Sequence, residues 1–113
     1  MLRKAFLMFL NPGARDEYRR RHDQLWPDLE AVLIDHGVRS YSIYFDAERD
    51  LLFGYVELES QARWDAIAGT EPCRRWWTHM RDLMRTNPDH SPVSQELEEV
   101  FHLRQPSAAS GKS

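Results

Sequence analysis

VRSYSIYFDAERDLLFGYVELE, residues 38–59, decides how the rest of the chain is read. Its two halves, 38–46 and 50–59, are rich in β-branched and aromatic residues, and the polar AERD lies between them. Two such runs around a short polar connection predict a β-hairpin. The segments on either side change period. Upstream, residues 3–10 (RKAFLMFL) read as a strand, and Asn11-Pro12-Gly13 as a turn. Residues 14–36 then carry Tyr18, His22, Leu25, Trp26, Leu29, Val32 and Leu33 at helical spacing. Pro27 must kink or restart that helix, because it lacks a backbone donor and its ring clashes one turn back. Gly37 suits the position just past a helix end.

Downstream, residues 60–86 return to helical spacing through Trp64, Ile67, Cys73, Trp76, Trp77, Met80, Leu83 and Met84. Gly69-Thr70-Glu71-Pro72 divides this stretch in two. A polar loop, TNPDHSPVS, leads to a last strand expected near 97–103, LEEVFHL. The order βαββαβ predicts an α+β, ferredoxin-like sandwich in a single domain over 1–103. The tail 104–113 has little to bury and is expected to be disordered.

A sheet of this kind carries its helices on one face. Here the strands are apolar on both faces: Phe6, Met8 and Leu10 alternate with Leu7 and Phe9, and Leu52 and Val56 with Leu51, Phe53 and Tyr55. A strand with one wet face should alternate apolar with polar. The second face is therefore expected to be covered by another copy of the chain, giving a homodimer through the sheet faces.

The composition sets outer bounds. A net charge of −3 argues against a general nucleic-acid binder. The first apolar run is too short for a membrane span and no signal-peptide pattern follows it. The lone cysteine, Cys73, excludes an intrachain disulfide and a cysteine-based zinc site. The expectation is a cytoplasmic protein with neither nucleic-acid nor membrane partner.

Tyr18 and His22, four residues apart, stand one above the other on a helix. Trp76 and Met80 should face the same sheet from the later helix, with Trp77 beside Trp76. Tyr41 shares a strand face with Ile43 and Phe45. These groups can converge on one aromatic pocket with an imidazole and phenols. Such a pocket suits a sugar, since indole rings cover its C–H face and hydroxyls need a few placed polar partners. Histidine exchanges protons near neutral pH. The plainer reading makes the same residues boundary and core side chains. Arg19-Arg20-Arg21 and Arg74-Arg75 read as solvated helix faces. His36, His79, His90 and His102 show no metal-ligand spacing.

Several separated segments together resemble the L-rhamnose mutarotase family: RKAFLM, EYRRRH with WPDLEAVL, YSIYFD with DLLF, CRRWW, and NPDHSPVSQELEEVF. The resemblance covers about residues 1–103 and stops before the Ser/Ala/Gly/Lys-containing tail. It implies a dimeric α/β-barrel type of ferredoxin-like fold, no cofactor, and L-rhamnose as a small-molecule substrate. It implies interconversion of the α and β anomers of L-rhamnopyranose in rhamnose catabolism. It also implies His22 as proton donor, Tyr18 and Tyr41 as substrate contacts, and Trp76 and Trp77 as the indole pair against the sugar. From residue chemistry alone, a cofactor-free monooxygenase or a related isomerase of the same fold, or a non-catalytic sugar-binding dimer, remains open.

Overall fold

The computed structural model describes residues 1–106. Eight elements follow one another: β1 (Leu2–Phe9), α1 (Arg15–Asp23), α2 (Pro27–Asp35), β2 (Val38–Asp46), β3 (Leu51–Leu58), α3 (Gln61–Ile67), α4 (Glu71–Met80) and β4 (Ser94–Leu97). The strands form one antiparallel sheet in the order β2-β3-β1-β4. This is the ferredoxin-like α+β arrangement, each of its helices being split in two.

Local chemistry accounts for the splits. Trp26 precedes a proline and is extended, with ψ 132°. Pro27 then opens α2, where its missing N–H costs nothing. Pro27 thus restarts the helix instead of kinking it. Gly37 follows α2 at φ +90°, a conformation that relieves the helix end without a side-chain clash. Ser60 caps α3 by accepting from the Arg63 N–H at 3.2 Å. α1 has acidic residues in its first turn and basic residues in its last, which complements the helix dipole.

Register assigns the two sheet faces. Tyr41, Val56 and Lys4 form one cross-strand row; Ile43, Gly54 and Phe6 the next; Phe45, Leu52 and Met8 the third. These rows face the helices: Met8 and Leu52 join Tyr18, Leu29, Ile67, Cys73, Trp76 and Met80 in one buried cluster. The opposite face carries Ala5, Leu7, Phe9, Leu51, Phe53, Tyr55 and Tyr44, and among the described residues no helix lies over it. Tyr44 there is 64% exposed.

Two expectations need correction. Residues 81–86 are not helical, since α4 ends at Met80. Leu83 and Met84 are buried because the chain lies along the end of β1. Asn11 donates to the Leu83 carbonyl at 2.8 Å, Arg85 to the Phe9 carbonyl at 3.0 Å, and Leu10 bridges Met84. The last strand also falls earlier than 97–103. Ser94–Leu97 pair with Met8–Ala5, and Leu97 is the last paired residue. Beyond it the chain is held to β1 through side chains, by Arg3 on Glu99 at 2.9 Å. The apolar residues that suggested a strand, Val100, Phe101 and Leu103, stand exposed. Of the expected tail 104–113, residues 104–106 are exposed without regular structure, and 107–113 lie outside the described residues. Among the described residues, no helix is long and apolar enough to cross a membrane.

Candidate active site

A cavity of about 1100 Å³ lies between the helices and the inner sheet face. Tyr18, His22, Tyr41, Trp76 and Trp77 all line it. The i,i+4 spacing on α1 stacks the Tyr18 ring on the His22 imidazole, with centroids 4.3 Å apart and planes 30° apart. Trp76 of α4 meets His22 nearly perpendicularly at 5.3 Å. Trp26, in the break between α1 and α2, meets Trp76 in the same manner at 5.1 Å. The helix layer therefore offers a continuous row of rings, with Trp77 beside it.

The sheet supplies a second aromatic group. Tyr41 stands 5.9 Å from Trp64 of α3 and 6.2 Å from Phe6. Phe6 and Trp64 line the cavity too; the sequence pattern places Phe6 on a strand face and Trp64 on a helical stripe without marking either for the site. Phe6 can lie over β3 because Gly54 is opposite it. A Cβ at Gly54 would meet Phe6 ring atoms at 2.5 and 2.6 Å. That glycine was the available signal in the sequence, an isolated glycine within a strand marking a close approach.

The imidazole of His22 has a defined tautomer. Nδ1 lies 3.0 Å from the Tyr18 carbonyl oxygen, which can only accept, so Nδ1 carries the hydrogen and donates. In the neutral ring Nε2 then holds a free lone pair. Burial lowers the His22 pKa below its ordinary value of 6.5. The bond to Tyr18 and the charge of Asp23 oppose that shift without cancelling it. His22 at rest is therefore a neutral base.

Both phenols stay protonated at neutral pH. Burial pushes the Tyr18 phenol far above its usual range, and the nearby Tyr41 adds to the rise. Tyr41 is raised likewise, first by burial and then by Cys73. Tyr41 is 37% exposed as a whole residue and lies on the edge strand β2. No hydrogen bond among the described residues holds either hydroxyl, and the buried Tyr18 has no fully enclosed, orphaned polar atom. The Tyr18 hydroxyl therefore opens on the cavity, which Tyr41 also lines. The Cys73 thiol, buried beside them, is pushed up to about 11 and stays protonated at neutral pH.

His90 is a cavity residue that the sequence reading considered only for metal spacing. It lines the wall from the loop after α4, together with Asn87 and Ser91. Among the described residues, no three His, Cys, Asp or Glu side chains gather as metal ligands.

A family model described as L-rhamnose mutarotase matches residues 3–103. An L-rhamnose mutarotase of Klebsiella pneumoniae is 61% identical over 103 residues, which is 91% of this chain and 99% of that one. One from Cronobacter sakazakii has the same identity and coverage. The crystal structure of an L-rhamnose mutarotase from Formosa agariphila superposes with a TM-score of 0.85 at 44% identity. It covers 92% of this chain and 100% of its own. An antibiotic biosynthesis monooxygenase superposes at a TM-score of 0.60 with 18% identity, a likeness of fold alone; it covers 89% of this chain and all of its own.

Proposed function

Because the chain belongs to the L-rhamnose mutarotase family, we propose that its cavity is where the pyranose ring opens and recloses. The chain is an isomerase that interconverts the α and β anomers of L-rhamnose. The reaction moves one proton out and back. A base removes the proton from the anomeric hydroxyl, O1. The C1–O5 bond breaks and O5 is protonated. The open aldehyde turns about C1–C2, and closure from the other face reverses the transfers.

His22 is the residue we assign to those transfers. The observation that carries the assignment is its fixed tautomer. With Nδ1–H spent on the Tyr18 carbonyl and the ring neutral, Nε2 can first accept the O1 proton. The imidazolium so formed is a strong acid, because burial disfavours its charge, and it can deliver the same proton to O5 a short distance away. The family's proton-donor role thus becomes the second half of one cycle. Acid–base assistance of this kind contributes about 100- to 10,000-fold.

Tyr18 and Tyr41 hold substrate hydroxyls as donors. Trp76 and Trp77 form the apolar wall, against which the 6-methyl group of rhamnose packs. Such a wall favours methyl over the 6-hydroxyl of mannose by about 100-fold at most. The uncovered sheet face supports a homodimer through the sheets, with a role in the breakdown of rhamnose. The lone cysteine fits a cytoplasmic setting.

The test is saturation transfer between the two H1 signals of L-rhamnose, with His22→Ala beside the parent chain. Exchange should fall at least about 100-fold in the variant while its melting temperature stays within a few degrees. Undiminished exchange would remove His22 from the reaction.

A further inference from the structure

The loop between α4 and β4 is built more tightly than a surface connection requires. Asn87 N–H donates to the Ser91 carbonyl and His90 N–H to the Asn87 carbonyl, both at 2.8 Å. The Asn87 amide donates to the Ser91 hydroxyl at 3.0 Å. Ser91 donates to the Asp89 carboxylate through both its N–H, at 3.0 Å, and its hydroxyl, at 2.6 Å. Thr86 and Pro92 close the loop as an antiparallel bridge. Within this ring of bonds His90 has φ +73°, the left-handed region, which costs any side chain more than it costs glycine. Strained backbone of this sort persists where the surroundings over-determine it, often at functional sites.

The imidazole is fixed as well. Its Nδ1 lies 3.0 Å from the Thr78 hydroxyl oxygen. Thr78 follows Trp76 and Trp77 on α4, so this ring is referenced to the helix that carries the indole wall. His90 lines the same cavity as His22 but comes from a different element.

We propose that His90 is a second catalytic residue of the mutarotation: with the Thr78 hydroxyl donating to Nδ1, its Nε2–H hydrogen-bonds the ring oxygen as the C1–O5 bond breaks. This deepens the mutarotase reading and rests on it. The balance is complete without any added reactant. His22 Nε2 takes the O1 proton, the O1–H electrons form the C1=O1 double bond, and the C1–O5 pair moves onto O5. His90 holds that developing charge without giving up its own proton, and O5 then takes the proton back from His22. Removing one preorganised donor to an oxyanion typically lowers kcat about 100- to 1,000-fold. A histidine that merely pinned the loop to α4 would not act on the chemical step in this way.

His90→Gly separates the two roles, because glycine suits the left-handed backbone and leaves every main-chain bond of the loop available. The variant should melt at or above the parent temperature. Its kcat for L-rhamnose anomer exchange should fall about 100-fold or more, with KM nearly unchanged, and added imidazole should restore part of the rate. His90→Asn, which also tolerates this backbone, gives a second folded variant and should lose rate similarly. A kcat within twofold of the parent in either folded variant, or a loss confined to KM, would overturn the assignment. The parent chain in the same experiment keeps the cases apart. A parent that fails to accelerate exchange overturns the mutarotase reading itself, and a fast parent with fast variants overturns only the role of His90.

Discussion

Residue chemistry at the cavity gives His22 two properties that can be measured separately. Its pKa lies below 6.5, chiefly through burial. With the neutral ring proposed to start the reaction, kcat/KM should be level near pH 7–8 and decline only on the acid side of 6.5. Stability follows the same sign. The unfolded chain binds a proton at His22 more readily than the folded chain does, so this contribution to stability is complete above pH 6.5. It is lost as pH falls from there through the folded pKa. His22→Ala should flatten that part of the stability profile in thermal melts taken between pH 5 and 8, and a parent-like profile would contradict the account. Tyr18→Phe tests a different point. Its hydroxyl has no partner within the described protein to lose, so the variant should fold as stably as the parent and show its loss mainly as a higher KM.

At the scale of elements, the site depends on how β1, β3 and α3 meet. Gly54→Ala would place a methyl group into the Phe6 ring on the central strands. Phe6 must then shift toward Tyr41 and Trp64. Overpacking of this kind should cost about 1–3 kcal/mol in denaturant unfolding and raise KM as Tyr41 is displaced. An unchanged stability and KM would mean that Phe6 moves freely. The same scale shows what local sequence can reveal. The 38–59 hairpin, the Pro27 boundary and the α3–α4 break were legible because period, proline and turn residues act within a few positions. The Tyr18–His22 stack followed from helical spacing alone. β4 was not legible, because SQEL has no strand character and is specified by distant partners on β1. Leu83 and Met84 imitate a helical stripe, although the backbone there is bonded to the end of β1. Trp64, Phe6 and His90 reach the cavity only through tertiary packing and loop closure, which spacing does not encode.

The whole molecule presents an apolar sheet face opposite the cavity. Leu7, Phe9, Leu51, Phe53 and Tyr55 on that face lie on the central strands, where no helix of the described residues covers them. Burying them against a second copy removes apolar surface from water at about 25 cal/mol per Å². Phe53→Asp should therefore convert a dimer to a monomer in size-exclusion chromatography with light scattering at micromolar protein. A parent that already runs at one chain mass would contradict the dimer. Because the sheet itself separates this face from the cavity, the variant's His22 tautomer and ring stack depend on contacts the interface does not make.

The measurement that bears most directly on the central claim is anomer exchange of L-rhamnose itself. Saturating the H1 signal of one anomer and observing the other, with and without the protein, reads the reaction with no coupled enzyme. Transfer is expected in the presence of catalytic amounts of protein, faster for L-rhamnose than for mannose and fading below pH 6.5. Transfer equal to the spontaneous rate at high protein concentration would contradict it and leave a sugar-binding fold without the chemistry.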